Sequence, residues 1–97
     1  TLCELAGLPL PTDLDGDSLT TVLERPESAG DEVAYHLYPR GNRLGRAIRT
    51  ARHRLVEWKP IGEPVETAEY ELYDYIVDPA ETKNLAAEQP AVVAQLR

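Results

Sequence analysis

Apolar residues recur with period two along the middle of the chain. Ile48, Leu55, Tyr70, Leu72 and Ile76 mark one side of a stretch that reads GRAIRTARHRLVEWKPIGEPVETAEYELYDYIVDP from Gly45 to Pro79. Such alternation is the pattern of antiparallel strands with one face on a core and the other toward solvent. It predicts strands over Arg46–Thr50 and Arg54–Lys59, joined by a tight Ala51-Arg52-His53 connection. A loop carrying Pro60, Gly62 and Pro64 follows, and then a third run over Glu69–Val77. Upstream, Glu32–Pro39 predicts another strand, with Val33, Tyr35 and Leu37 on one side and Ala34, His36 and Tyr38 on the other. Pro39 is expected to end it. Arg40–Gly45, with two glycines and an asparagine, reads as a mobile loop.

The period changes at both ends. Leu2, Leu5 and Ala6 stand at i, i+3 and i+4 and predict a short helix over Thr1–Leu8. Thr1 and Glu4 have capping-box spacing, Gly7 is placed to stop the helix, and Pro9 and Pro11 prevent its continuation. Thr12–Ser18 is a polar loop, and Ser18 is a candidate cap for a helical turn over Leu19–Leu23, with Val22 and Leu23 facing inward. Glu24–Asp31 reads as a surface connection. Asp78-Pro79-Ala80-Glu81 has the order of an N-cap, a first-turn proline and an acid three residues after the cap, so a helix or turn starts there. Asn84 is expected to close it. Pro90 opens the last helix, whose apolar stripe is Val92, Val93 and Leu96. The fold class that follows is α+β: a four-stranded antiparallel sheet packed with a C-terminal helix, in a single domain.

Composition narrows the partners. With 42% hydrophobic and 28% charged residues the chain is not of disordered type, and no stretch has the length of a membrane span. A formal net charge of −7 argues against nucleic acid. Yet seven of the ten basic residues crowd between Arg40 and Lys59. Two readings stand: a discrete anionic partner, or a solvated strand face paired with Glu57, Glu69 and Glu71. The single cysteine, Cys3, excludes an intrachain disulfide and lies in an apolar helix, where a small buried hydrophobe is expected. Methionine is absent even from position 1. The chain is therefore expected to be a piece of a longer protein, whose compartment its residues do not reveal.

Little chemistry is assembled by residue type alone. Asp13, Asp15, Asp17 and Glu24 fit positions of a calcium-binding loop, but Ser18 stands where that loop needs glycine and Pro9 and Pro11 break the entering helix. His36 and His53 are the only histidines, too few for a zinc site or a catalytic pair without further partners. His53, at a hairpin turn, is expected to be exposed. His36 shares a strand face with Tyr38 and leads into Pro39-Arg40-Gly41. Histidine, tyrosine and arginine at a strand end suit recognition of an anion or a sugar, and the alternative is a satisfied strand-face histidine. Trp58, Tyr70, Tyr73 and Tyr75 read as core and rim aromatics of the sheet. No phosphate-binding glycine loop, G-x-S-x-G or H-E-x-x-H is present.

Three segments carry a resemblance: Arg46-Ala-Ile-Arg-Thr-Ala-Arg-His-Arg-Leu-Val-Glu-Trp58, Tyr70-Glu-Leu-Tyr-Asp74, and Asp78-Pro-Ala-Glu-Thr-Lys-Asn-Leu85. Together they resemble the C-terminal subdomain of the type I sulfatases, in the alkaline-phosphatase-like superfamily. The opening Thr1-Leu-Cys-Glu-Leu-Ala-Gly-Leu-Pro9 and Leu14-Asp-Gly-Asp-Ser-Leu19 are similar to the same family, so the resemblance covers nearly the whole chain. Ala34-Tyr-His-Leu-Tyr-Pro-Arg40 looks most like the iduronate-2-sulfatase branch. The resemblance implies a subdomain docked on a large catalytic domain, in an enzyme that hydrolyses sulfate esters of a sulfated uronic acid or polysaccharide. It also implies a periplasmic, secreted or lysosome-like setting. Formylglycine and calcium are implied for the full-length enzyme and neither for this chain. Cys3 is followed by Glu4-Leu5-Ala6-Gly7 and does not match the nucleophile motif. Carried onto this chain, the family's pocket rim falls on His36, Tyr38, Arg40 and Arg43. The rival expectation is a non-catalytic binding or assembly module of the same fold.

Overall fold

Four strands form one antiparallel sheet in chain order: β1 (Ala34–Arg40), β2 (Arg43–Arg49), β3 (His53–Pro60) and β4 (Glu69–Asp74). The computed structural model describes residues 1–30 and 33–97, so Asp31 and Glu32, the latter the expected start of the first strand, lie outside the described residues. The backbone divides into two compact units, Thr1–Gly30 and Asp31–Arg97.

The second unit departs from expectation at its turns, each time for a local reason. Arg40 pairs with Arg43 across Gly41-Asn42, so Arg40–Gly45 is a tight hairpin and not a mobile loop. Gly41 has φ +60°, as the first position of a type II′ hairpin turn requires. Pro39 does not end β1 but sits opposite Leu44 within it. An edge strand tolerates this, because the missing N–H can face away from the ladder. The β2–β3 turn is closed by the Thr50 N–H on the His53 carbonyl and by the His53 N–H on the Thr50 hydroxyl, both at 2.9 Å.

β4 stops at Asp74, three residues early. The Asp74 carboxylate accepts the Ile76 N–H at 3.0 Å, and its carbonyl accepts from Asp78 at 2.8 Å, which turns the chain. Ile76, expected on the buried side, is consequently 71% exposed. The expected helix at Asp78 is a turn. The Asp78 carboxylate accepts from the Thr82 hydroxyl (3.0 Å) and the Lys83 N–H (2.9 Å), while Glu81 sits at φ +54°.

The core lies on one face of the sheet. Leu55 and Leu72 face each other across β3 and β4, and Leu85 and Val93 complete a buried cluster flanked by Ile48, Tyr70, Val92 and Leu96. The last three of these and Val93 belong to or face α3 (Pro90–Leu96), which Pro90 opens as expected. The free edge of β4 is strapped by Asn84-Leu85. The Asn84 amide oxygen accepts from Leu72 N–H (3.0 Å) and Ala86 N–H (2.9 Å), its amide nitrogen donates to the Tyr70 carbonyl (3.1 Å), and Leu85 N–H donates to the Leu72 carbonyl (2.8 Å). Asn84 thus closes the sheet edge and not the turn before it.

Asp74 is the buried ionic anchor of this unit, only 2% exposed. Arg52 holds it with Nε at 3.0 Å and Nη2 at 2.6 Å. His53, expected to be exposed, is half-buried, with Nε2 3.8 Å from the same carboxylate. The Arg52 guanidinium first, and the Ile76 N–H after it, hold Asp74 below the usual carboxylate range. A folded value below the unfolded one stabilises the protein fully above about pH 4, and the stabilisation is lost as pH falls through the lowered value. Asp74→Asn is therefore expected to lower stability near neutral pH and to flatten its decline in acid. Thermal unfolding of both forms across that range checks this; parallel profiles would show that Asp74 does not drive the decline.

In the first unit, α1 (Leu2–Leu5) gives way to Gly7 at φ +66°, and α2 spans Thr20–Glu24. The expected capping box does not form. The Thr1 hydroxyl accepts from Leu19 N–H at 2.8 Å, and Glu4 accepts from the Ser18 and Thr20 hydroxyls, so these polar groups tie two segments together, and the Thr1 side chain does not cap α1. α2 begins one residue later than expected, and at its start the Ser18 hydroxyl accepts a long bond from Thr20 N–H, at 3.4 Å. Of the two residues expected to face inward, Val22 is half-buried and Leu23 is exposed; Leu2 and Leu5 on the apolar face of α1 are exposed as well, and Cys3 is half-buried where burial was expected. No helix among the described residues is long and apolar enough to cross a membrane.

Candidate functional site

The register that builds the core on one face of the sheet assembles polar groups on the other. His36, Ala47, Val56 and Glu71 form one cross-strand row, and Tyr38, Gly45, Trp58 and Glu69 form the next. Opposed residues share a face, so side chains from all four strands converge although they lie far apart in sequence.

One end of this face is tied shut. Arg54 pairs with Glu81, which also accepts from the Tyr75 hydroxyl. The Arg49 guanidinium stacks 3.6 Å over the Tyr75 ring, and Arg54 lies 5.3 Å over Tyr73. Arg54 first, then the Tyr75 hydroxyl, hold Glu81 below its ordinary value, and the bond to Glu81 pushes the Tyr75 phenol up. Burial, reinforced by Glu71, pushes Tyr73 up as well.

The other end is open. His36, Tyr38 and Arg40 line a cleft of about 260 Å³ with Gly45, Arg54, Val56, Trp58 and Glu71. The His36 and Tyr38 rings are 6.3 Å apart, and Tyr38 meets Trp58 edge-on at 6.5 Å. Arg43 lies in an adjoining depression with Arg40, Trp58, Glu69 and Glu71. Its Nη2 is 3.0 Å from Glu69 and donates to the Trp58 carbonyl at 3.2 Å, while its Nε is buried with no partner among the described residues. The four residues expected at the rim therefore share one face. His53 does not join them.

The basic strip resolves into mostly paired charges. Arg43, Arg46, Arg52 and Arg54 are bound to Glu69, Glu57, Asp74 and Glu81, while Lys59 and Arg49 donate to the carbonyls of Glu63 and Thr50. Glu71, the third expected partner, accepts instead from the Tyr73 hydroxyl at 3.3 Å. Arg40 is the exception: its side chain makes neither a hydrogen bond nor an ion pair among the described residues. Such an arrangement can bind an anion or a polar ring, but it carries no nucleophile held by a base. No group of His, Cys, Asp and Glu that could hold a metal occurs among the described residues.

Sequence reasoning missed Gly45, Trp58 and Glu71. The signal was Gly41-Asn42. Read as a two-residue hairpin turn, it pairs Tyr38 with Gly45, and the next hairpin brings Trp58 into the same row.

Residues 1–97 match the family model described as N-sulphoglucosamine sulphohydrolase, C-terminal. A solved structure from Bacteroides thetaiotaomicron, described in terms of the metabolism of multiple glycosaminoglycans and tagged "6S-sulf", aligns with a TM-score of 0.56 at 26% identity. The alignment covers 98% of this chain and 21% of that one, so this chain spans about a fifth of the length of the solved protein. No curated protein matches the chain. The four-stranded antiparallel sheet with its C-terminal helix is the architecture of a sulfatase C-terminal subdomain. Over its whole length the chain belongs to the N-sulphoglucosamine sulphohydrolase C-terminal family, and it is a sulfatase C-terminal subdomain.

Proposed function

We propose that this chain is the C-terminal part of a sulfuric ester hydrolase, and that its open sheet face forms the rim of the substrate pocket. The substrate class is a sulfated uronic acid or polysaccharide. The observation that carries the reading is Arg40, an arginine without a carboxylate partner in a strip where its neighbours are paired, beside His36, Tyr38 and Trp58 in one cleft. An arginine fork left open suits bidentate capture of a sulfate or carboxylate. Arg43, partly neutralised by Glu69, adds a weaker positive field. The glycosaminoglycan context of the Bacteroides relative supports a glycan substrate. The iduronate-2-sulfatase branch rests on the segment Ala34-Tyr-His-Leu-Tyr-Pro-Arg40.

The partner of the subdomain is the sulfatase catalytic domain. Its seat is suggested by the apolar side chains that β1 leaves in water, Tyr35 at 79% and Leu37 at 63% exposure. The residues of this chain do not fit the formylglycine and calcium of the family: Cys3 lacks the nucleophile motif, and the described residues bring no metal-holding cluster together. Both groups are assigned to the remainder of the protein, and the 97-residue chain alone is expected to be inactive.

Arg40→Ala in the full-length protein should raise KM for a sulfated uronic-acid substrate about tenfold, with a smaller effect on kcat, corresponding to about 1.4 kcal/mol of lost binding. Steady-state kinetics of sulfate release measure it. An unchanged KM removes Arg40 from the site.

A further inference from the structure

We infer that Trp58, lying flat on Gly45, is a stacking platform for a pyranose ring, so that the pocket rim holds a second sugar of an anionic glycan beside the sulfated one. The inference rests on the glycan reading above and extends it to a residue and a ring.

A Cβ built on Gly45 would stand 2.7, 2.8 and 3.0 Å from Cζ3, Cη2 and Cε3 of Trp58. Three consecutive ring atoms at nearly equal distances place the face of the six-membered ring over Gly45. An edge-on approach would leave the third atom well behind the first two. The indole therefore lies along the sheet, with one face on the β2 backbone and the other turned outward. Tyr38 braces it edge-on, with the two ring planes at 86°. Trp58 is only half-buried, and α3 packs on the opposite face of the sheet, against the Leu55–Leu72 cluster.

A tryptophan that only filled the gap over a strand glycine would give the same seat. The rim around this one is what such a filler does not require. Trp58 borders both depressions of the face; His36 and Arg54 lie in one, Arg43 and Glu69 in the other, and Arg40 and Glu71 border both. A pyranose ring presents an apolar C–H face and a girdle of hydroxyls. The outward indole face takes the C–H face of the second ring, Glu71 accepts from one of its hydroxyls, and Arg40, which borders both depressions, holds the anionic group of the sulfated sugar beside it. The clefts are too polar for a purely apolar ligand, and the net charge of −7 argues against nucleic acid.

The test is steady-state kinetics of the full-length protein on a sulfated uronic-acid monosaccharide and on a tetrasaccharide bearing the same sulfated terminal sugar. Trp58→Ala is expected to raise KM for the tetrasaccharide about tenfold more than for the monosaccharide. Trp58→Tyr, which keeps an aromatic face, should recover most of that loss. Gly45→Ala should fall between them, because it lifts the ring without removing it; Gly45 has no positive φ, so the added methyl is the sole perturbation. Equal changes for the two substrates in all three variants overturn the platform while leaving the Arg40 reading intact. If Trp58→Ala does not fold, the tyrosine and Gly45→Ala variants carry the same comparison. If the wild type releases no sulfate from either substrate, the hydrolase reading falls, and calorimetric titration of the tetrasaccharide judges the platform by itself. Binding weakened in Gly45→Ala upholds it, and binding that is absent or equal overturns it.

Discussion

Leu72→Ala is expected to lower the unfolding free energy by about 3 kcal/mol, near the middle of the range for a fully buried leucine. Leu72 is 0% exposed and is the largest fully buried side chain in the described structure. It faces Leu55 across the strand pair and belongs to the cluster with Leu85 and Val93. The cavity left by truncation has little freedom to collapse, because the Leu72 backbone is bonded on its outer side to Asn84 and Leu85. The loss should therefore combine transfer of the side chain to water with the cost of a persistent void. Leu37→Ala offers the contrast: Leu37 lies on the same sheet, is largely exposed, and should change stability in this subdomain by no more than about 0.5 kcal/mol. Urea unfolding of both variants measures the difference. A loss below about 1 kcal/mol for Leu72→Ala would show that the core is not built on the β3–β4 pair.

Asn84→Ala should cost about 2 kcal/mol, more than its position in an irregular segment suggests. The substitution removes three hydrogen bonds at once, to Leu72 N–H, Tyr70 C=O and Ala86 N–H. Two of these partners belong to the outer edge of β4, which no further strand among the described residues covers. Losing them leaves the Leu72 amide without its acceptor beside a buried side chain, and that desolvation penalty dominates the effect. Hydrogen exchange at the Leu72 amide is the specific readout. It should accelerate in the variant far more than exchange in the β2–β3 pair. Uniform acceleration would instead indicate a global loss of stability in which Asn84 has no particular role.

The architecture was legible because the core-facing rows obey period two and α3 obeys its own period. Leu55 and Leu72, Val92 and Val93 stood out by alternation or helical stripe alone. What escaped was decided by side chains acting on backbone. Asp74 ends β4 by accepting the Ile76 N–H while Arg52 holds it from another hairpin, and no local pattern announces that. Thr1 and Glu4 have the spacing of a capping box but bond across segments to Leu19 and Ser18, because a partner 14 to 18 residues away competes with the local one.

The site was legible in part and for a related reason. His36, Tyr38 and Arg40 are neighbours on one strand, so alternation places them on one face without knowledge of the fold. Gly45, Trp58 and Glu71 come from three other positions of the sheet and require the register. That register follows from the Gly41-Asn42 turn, whose two residues were legible as a hairpin but read as part of a loop. Pairing of the arginines was equally non-local: Arg54 meets Glu81 27 residues on, and only the folded sheet shows that Arg40 stays open.

Release of inorganic sulfate by the full-length protein from a sulfated uronic-acid oligosaccharide tests the central claim most directly. Hydrolysis adds water across the ester, so each sulfate released must appear with one freed sugar hydroxyl. Stoichiometric sulfate and alcohol, with turnover weakened through KM in Arg40→Ala, is the predicted result. Intact sulfate esters after prolonged incubation with the folded full-length protein, across uronic-acid and polysaccharide substrates, would contradict it.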